Sequence, residues 1–430
     1  MGKGGGGAAL LDDYQAIGVN PSALGYSGKK AFSLGVLNFG VDLNSKGLAN
    51  LDLLTYRSSF SSKDLKKFSG VFRDEGFNLN VDMTWLGMSF KTDNLGGFAF
   101  SVRDRSSSHI SMGENTADLI FNGPNAAFFQ QSPVRTDLQT TDIVDDAEIS
   151  FMHYRELNLS YGLKFLELGA LRFMAGVGIK DLYGLGYFSL RSKFGVFEAR
   201  SSFLGAYEID YDELELEQVD LNNSFFNSSG RGQAIDLSVT MEVGEKESLD
   251  HFIISMSVTD IGSITWTKNV LIAANSSIDS IDASDMAQLN SFAIKDLTEV
   301  FFGPSGFIQF QQGGEFTTPL PATFRFALGK QFKDALKLSL DFVAPLNEKY
   351  AVSVQDPYII FGVEVSPVPK IRFMSGVSRS FAFGYNLPFG FVYRTAGVLE
   401  YQVATADLST FFRGNGSRLS IAMGIRLALL

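Results

Sequence analysis

The sequence contains no cysteine, three histidines and two tryptophans in 430 residues. The absence of cysteine excludes disulfides and thiolate metal sites. His109, His153 and His251 are far apart in the chain and have no partners at metal-ligand spacing, so we predict neither a metal site nor a cofactor. Nucleophile-elbow, phosphate-loop and dinucleotide motifs are also missing, and we therefore predict that the chain is not an enzyme.

Long apolar runs are missing as well, since no stretch approaches the ~18 uncharged apolar residues of a membrane-spanning helix. Acidic residues outnumber basic ones by 47 to 36, which gives a formal net charge of −11 and argues against a nucleic-acid partner. Hydrophobic residues make up 45% of the chain, as in a folded protein. If this chain enters a membrane, it must do so as a closed β-barrel, because barrels and helices alone satisfy their backbone groups in lipid.

Phenylalanine, tyrosine and glycine are abundant, at 40, 14 and 43 residues, which favours strands joined by tight turns. The clearest strand runs from Leu419 to Leu429, where large aliphatic residues alternate with small residues and Arg426. Successive strand side chains point to opposite faces, so this strand has one wholly apolar face. Similar patterns predict fourteen strands, at 31–43, 76–91, 96–112, 147–165, 170–180, 231–243, 251–262, 321–331, 334–344, 356–367, 370–382, 387–394, 397–411 and 417–429.

Short and long connections alternate between these strands. The long ones are 44–75, 113–146, 181–230 and 263–320. Outer-membrane barrels have short periplasmic turns and long external loops, and an even strand number places both termini on the short-turn side. We therefore predict an all-β fold, a 14-stranded antiparallel transmembrane β-barrel over residues 31–430, with the long connections as extracellular loops. The alternative is a soluble all-β protein.

Two of the long connections show patterns of their own. The pattern of residues 184–216 predicts an extra hairpin that projects beyond the membrane. Residues 285–302 carry apolar residues at helical spacing behind Ser284 as a possible N-cap. This helix either packs over the barrel rim or forms an external surface where an apolar ligand first lands.

The faces opposite the apolar ones carry charges. If the apolar faces meet lipid, these charged side chains point into the lumen: Arg103, Arg172, Lys180, Asp236, Arg325, Lys337, Asp341, Arg372 and Arg426. A charge at mid-depth on the lipid face costs ~2–4 kcal/mol, which supports this orientation. The set either forms a paired network that fills the interior or includes arginines that meet the anionic head of a ligand.

The first thirty residues are glycine-rich and contain Pro21, which suits a segment folded back into a lumen better than a strand. The alternative is a disordered tail followed by an ordinary turn. The opening residues lack the apolar region of a secretory signal peptide, so an outer-membrane location requires that a signal was removed.

Two segments resemble a known family. Residues 11–26, which include Asn20, Pro21 and Ser22, resemble the N-terminal Asn-Pro-Ala signature of FadL-type outer-membrane transporters, and more closely that of their Bacteroidota relatives. Ser22 stands where the family usually has alanine. Residues 258–266, with Asp260, Gly262 and Trp266, resemble the Asp-Ile-Gly…Trp segment found mid-barrel in the same group.

The resemblance implies a monomeric barrel plugged by an N-terminal hatch at residues 1–30, with Asn20, Pro21 and Ser22 in the hatch. It also implies passive uptake of a hydrophobic small molecule, such as a long-chain fatty acid, across the bacterial outer membrane. The alternative is a structural barrel that docks partners of a secretion or surface complex. The last strand resembles the one that the outer-membrane assembly machinery recognises, although it ends in Leu430 instead of the common phenylalanine.

Overall fold

The computed structural model describes residues 5–26, 32–45, 70, 76–92, 95–130, 132–204, 225–244, 250–283, 308–333, 335–347, 357–381, 384–395, 398–413 and 417–429. The predicted helix at 285–302 lies outside the described residues, as does most of the predicted loop 44–75.

The fold is all-β, and its main body is one closed antiparallel sheet of fourteen strands, as predicted. With strands numbered along the whole chain, the barrel strands are β1 (Phe32–Asn44), β2 (Phe77–Thr92), β3 (Gly96–Ser111), β5 (Ala147–Leu168), β6 (Leu171–Lys193), β8 (Gly230–Val243), β9 (His251–Trp266), β14 (Thr323–Phe332), β15 (Leu336–Pro345), β16 (Tyr358–Val368), β17 (Ile371–Ser380), β19 (Phe389–Thr395), β20 (Leu399–Thr405) and β21 (Arg418–Leu429).

The remaining described elements lie in the N-terminal segment and the long connections. The additional strands are β4 (Val134–Gln139), β7 (Val196–Phe203), β10 (Val270–Ala274), β11 (Ser277–Asp282), β12 (Gln311–Gln312), β13 (Phe316–Pro319) and β18 (Gly384–Asn386). The α-helices are Glu114–Asn122, Thr140–Ile143 and Ser409–Arg413, and the 3-10 helices are Ala8–Leu10, Tyr14–Ala16, Pro21–Gly25, Gly123–Asn125 and Ala127–Phe129. In the described part of the chain, no helix is both long enough and apolar enough to cross a membrane.

The barrel closes through its first and last strands. β1 pairs with β2 on one side and with β21 on the other, where Val41 lies opposite Ile421. A bulge interrupts the second pairing between Val36 and Phe39, and Leu37 there has a φ of 52°. This closure leaves the fourteen-strand sheet without a free edge.

Exposure alternates along the barrel strands, as the sequence pattern predicts. On β8 the outward side chains are apolar as far as Ile235 and polar beyond it, at Gln233 and Arg231. From Val243 to Ile235, at ~3.3 Å per residue along a strand tilted by ~40°, this apolar band is roughly 20 Å tall. Aromatic pairs on the outer face lie near the short-turn end, including Phe98 with Tyr161 at a ring-centroid distance of 4.6 Å.

The β6 strand is longer than predicted, and the predicted loop 181–230 therefore begins as a strand. β6 continues from Lys180 to Lys193 and turns at Phe194 and Gly195 into β7, which forms the predicted extra hairpin. The acidic residues 210–217, which follow β7 in the chain, lie outside the described residues. The strand β6 continues past Lys180 because the β6–β7 hairpin packs against distant parts of the chain. The period-2 pattern of the sequence gives no sign of this packing.

That packing is a second hydrophobic core above the apolar band, which we call the cap core. Leu119, Ile143, Leu190, Phe197 and Ile281 are among its buried members. They come from the predicted loops 113–146 and 263–320 as well as from the β6–β7 hairpin. The long connections thus fold into a unit with its own interior.

One predicted strand is too long. Residues 397–411 were expected to form a strand, but β20 ends at Thr405. The carboxylate of Asp407 accepts hydrogen bonds from the backbone N–H groups of Leu387 and Ser409, both at 3.1 Å. This turn chemistry stops the strand and starts the short helix that follows.

The closing pair is testable by crosslinking, because the native chain has no cysteine. In the double variant Val41→Cys/Ile421→Cys the two side chains lie opposite each other, and mild oxidation is expected to join them. Non-reducing gel mobility then reveals a covalently circularised barrel. The control Val41→Cys/Ile425→Cys is four residues out of register and should remain open. Equal crosslinking of both pairs would contradict the register.

Candidate functional site

Residues 5–26, here called the lumen segment, lie inside the barrel against the inward faces of its strands. Ser257 Oγ of β9 donates to the carbonyl oxygen of Val19 at 2.7 Å, and the N–H of Gly7 donates to the Asp341 carboxylate at 2.6 Å. Three short 3-10 helices shape the segment. Pro21 opens the third helix, where its missing N–H leaves no donor unpaired.

Asn20, Pro21 and Ser22 lie together at the centre of the contact between the lumen segment and the barrel wall. The Ser22 N–H donates to Ser238 Oγ at 2.7 Å, and the Ser22 hydroxyl lies 2.7 Å from the hydroxyl of Thr240. The Asn20 amide donates to the carbonyl oxygen of Ala8 at 3.1 Å and so ties the two ends of the segment together. The hydroxyl of Ser22, which an alanine would lack, therefore adds a polar contact to the wall.

A row of wall glycines makes room for the third 3-10 helix. Gly97, Gly162 and Gly176 pair in register across β3, β5 and β6. A Cβ atom at Gly176 would lie 2.1 Å from the backbone nitrogen of Ser22, and one at Gly162 would lie 2.4 Å from the carbonyl oxygen of Pro21. The helix lies directly on the backbone of the wall, which only glycine permits.

Tyr14 occupies a second glycine site on the neighbouring strands β1 and β2. Gly35 and Gly87 are register partners in β1 and β2, and a Cβ on either would overlap the Tyr14 ring. The Asn38 amide donates to the Tyr14 hydroxyl at 3.0 Å. Burial, together with the adjacent Asp13 carboxylate, raises the pKa of Tyr14 to about 12, so the phenol stays protonated at neutral pH.

Charged side chains beyond the lumen segment form a central ion network between β2, β3, β5, β6, β8 and β9. Its members are Asp82, Arg103, Arg105, Glu156, Lys180, Asp236 and Asp260. Lys180 is fully buried, and its Nζ lies 2.9 Å from Asp236 and 2.5 Å from Asp260. Buried charges are tolerated when they are paired in this way.

The Asp-Ile-Gly…Trp motif has a structural role in this region. Asp260 lies in a β-bulge with a φ of 60°, and its N–H donates to the Asp236 carboxylate at 2.8 Å. The bulge turns the Asp260 carboxylate toward Lys180 and Arg105. Backbone bulges commonly re-aim a side chain in this manner.

Gly262 and Trp266 complete the same motif. A Cβ at Gly262 would lie 2.1 Å from the carbonyl oxygen of Gln233 on the neighbouring strand. Trp266 is fully buried, packs against Tyr187, and donates from Nε1 to Thr318 Oγ1 at 2.8 Å. Gly262 thus permits the close approach of β8 and β9, and Trp266 anchors a local apolar cluster.

A second set of charges, the mouth ion network, lines the wall near the short-turn end. Its members are Lys337, Glu364, Arg372, Arg394, Glu400 and Arg426. Glu400 accepts from both Arg394 and Arg426. Arg426 Nη1 also lies 2.5 Å from the Asp13 carboxylate, which joins this network to the lumen segment.

All nine predicted lumen residues have an ion-pair partner. Arg172 pairs with Glu242 at 3.0 Å, and Arg325 pairs with Asp341 at 3.3 Å, while the other predicted residues belong to the two ion networks. Within the described residues, no group of three or more acidic or histidine side chains is arranged to hold a metal ion. Five further charged residues of the two networks were not predicted, although the same alternation gives them inward parity: Arg105, Glu156, Glu364, Arg394 and Glu400.

A cavity of about 520 Å³ lies between the lumen segment and the wall. On the side of the lumen segment its lining includes the apolar residues Leu10, Leu11 and Ile17, with Asp12 between them in the chain. The wall side includes Arg372 and Arg426. The cavity therefore has one mainly apolar face and one charged face.

A protein-family model described as "Family of unknown function (DUF5723)" matches residues 23–397, and the chain belongs to this family. A search among curated proteins finds no match.

Similar solved structures include the toluene transporter TodX of Pseudomonas putida, with 11% identity, coverage of 98% of this chain and 96% of that chain, and a TM-score of 0.42. The toluene transporter TbuX of Ralstonia pickettii has 11% identity, coverage of 100% and 97%, and a TM-score of 0.41. A FadL homologue of Pseudomonas aeruginosa has 11% identity, coverage of 98% and 95%, and a TM-score of 0.41. The predicted likeness to FadL-type proteins is thus found among solved structures, while closeness to Bacteroidota relatives stays a prediction.

The seat of the lumen segment is testable at Gly176. Gly176→Val places side-chain atoms where Ser22 lies, and overpacking of this kind costs about 1–3 kcal/mol. We expect a lower unfolding midpoint and faster proteolysis of residues 5–26 in the folded barrel. Ala175→Val, one residue away and outward-facing, is the matched control and should change neither. Unchanged proteolysis in Gly176→Val would show that the segment does not rest on this wall.

Proposed function

We propose that this chain is an outer-membrane channel for passive uptake of a hydrophobic small molecule with a polar head, such as a long-chain fatty acid. The observation that carries the proposal is the two-faced cavity of about 520 Å³ beside the lumen segment. Its volume falls within the range of ~300–1,000 Å³ typical of small-molecule sites. Binding and passage, without covalent chemistry, would then be the activity.

The chemistry of the cavity favours an amphipathic ligand over a plain hydrocarbon. Leu10, Leu11 and Ile17 offer apolar surface to a chain, whereas Arg372 and Arg426 offer donors to a head group. A hydrocarbon would leave the charged face unused. A fatty acid uses both faces, since its tail leaves water and its carboxylate meets a guanidinium.

Small wall residues create the space for this ligand. Gly40, Ala422 and Ala404 are register neighbours across β1, β21 and β20, and all three line the cavity. The third 3-10 helix of the lumen segment packs on another part of the wall, over the glycines of β3, β5 and β6. The wall thus supports a seat at these strands and leaves an open volume along β20 and β21.

The apolar band and the aromatic pairs at its lower end support placement in a lipid bilayer. A band of roughly 20 Å is close to the ~25 Å of outer-membrane barrels, and aromatic girdles flank such bands. In this placement the short-turn end faces the periplasm, and the cap core stands outside the cell. The lumen segment serves as the hatch of residues 1–30, and the chain acts as a monomer.

The cap core favours a second candidate function, partner docking in a secretion or surface complex. A folded unit with buried residues such as Leu119 and Phe197 is more than a set of connecting loops. It presents a defined surface beyond the band. A docking barrel would keep its function when the cavity is blocked, and this separates the two candidates.

Ala404→Phe is expected to fill the cavity and abolish binding of a long-chain fatty acid. The measurement is native mass spectrometry of the detergent-purified chain with added tetradecanoate. Ile425→Phe, on the outward face of the neighbouring strand β21 and outside the cavity lining, is the matched control and should bind normally. Retained binding in Ala404→Phe, with the barrel folded, would place the ligand elsewhere.

Leu237→Arg is expected to destabilise the barrel in a bilayer by about 2–4 kcal/mol, because it puts a charge on the lipid face near mid-depth. Urea titration of the chain folded into phospholipid vesicles measures the change. Val196→Arg, on the exposed β6–β7 hairpin outside the band, should have little effect. Equal losses in both variants would contradict the proposed depth.

A further inference from the structure

We propose that the lumen segment carries an internal substitute for the ligand's head group. In this proposal the Asp13 carboxylate, with Asp12 beside it, occupies the anion site of the mouth ion network. The ligand enters that site by exchanging its own carboxylate for that of Asp13. The inference rests on the proposed function and adds how occupation of the cavity is coupled to the lumen segment.

The charge balance of the wall supports the exchange. The mouth ion network has four cations, Lys337, Arg372, Arg394 and Arg426, but only two carboxylates, Glu364 and Glu400. The wall alone is thus short of two negative charges. The lumen segment supplies one of them directly, because Asp13 contacts Arg426, and Asp12 lines the same cavity as Arg426.

Arg426 lies where a ligand and the lumen segment can both reach it. Its side chain is almost fully buried, yet it lines the cavity together with Asp12 and Arg372. Arg426 Nη1 meets Asp13 at 2.5 Å, while its other nitrogens meet Glu400. Arg426 therefore makes one contact with the wall and the other with the lumen segment.

The carboxylate of a ligand can replace that of Asp13 with little rearrangement. A carboxylate accepts bonds from a guanidinium in the same geometry whether it belongs to an aspartate or to a fatty acid. The contacts of Ser22 with Ser238 and Thr240 lie elsewhere, so the exchange leaves the seat of the third 3-10 helix intact. Displacement is confined to the turn around Asp13.

The exchange predicts a selective gain in affinity when Asp13 loses its charge. In the full-length chain in detergent, Asp13→Asn should bind tetradecanoate about tenfold more tightly than the parent chain, as measured by displacement of a fluorescent fatty acid. A tenfold change corresponds to about 1.4 kcal/mol. Affinity for tetradecanol, which has no charge, should not change. Arg426→Gln should weaken binding of tetradecanoate and leave tetradecanol unaffected.

Two controls separate exchange from general effects. Ser257→Ala removes another tether of the lumen segment, at Val19, without removing a charge. Asp42→Asn removes an inward carboxylate that pairs with Arg418 at 2.7 Å, far from the mouth ion network. Neither should raise the tetradecanoate affinity relative to that for tetradecanol. An equal gain in either control, or no gain in Asp13→Asn, overturns the proposal.

A measurement on the unmodified chain tests the same exchange without relying on the folding of a variant. The Gln15 N–H donates to Asp13 Oδ1 at 2.9 Å. Tetradecanoate should speed hydrogen exchange at this amide, and tetradecanol should not. If the parent chain binds both ligands without this difference, the exchange is wrong and the channel stands; if it binds neither, the proposed function itself fails.

Discussion

The closure of the sheet between β1 and β21 is the constraint on which the rest of the structure depends. A strand edge in lipid leaves backbone groups unpaired at a cost of several kcal/mol each, so the first and last strands must pair in one register. That register determines which residues face inward on every strand. The positions of Arg426, Asp236 and the wall glycines all follow from it.

The barrel wall meets the interior differently in two regions. Where β3, β5 and β6 present Gly97, Gly162 and Gly176, the lumen segment lies directly on the backbone. Where β20 and β21 present Ala404 and Ala422, the space stays open and forms the cavity. Charges fill much of the remaining interior in paired networks, which makes their burial tolerable. In the mouth ion network the cations of the wall outnumber its carboxylates, and the lumen segment adds the carboxylate of Asp13.

Much of the fold was predictable, since the period-2 pattern locates all fourteen strands and assigns their faces. The same rule finds Lys180 and Arg372, and applied more widely it would also have found Glu364 and Glu400. It cannot find the roles of Asp13 and Tyr14, because these depend on how a segment without strand periodicity folds into the lumen. It also misses the extension of β6 to Lys193, which depends on packing with Phe197 and other distant residues in the cap core.

The most direct test of the central claim is an experimental structure of the chain in a bilayer mimetic with tetradecanoate bound. The account predicts the alkyl chain against Leu10, Leu11 and Ile17, and the carboxylate on Arg426 with Asp13 displaced. An empty cavity with ligand confined to the outer surface, or a lumen segment lying outside the barrel, would contradict it.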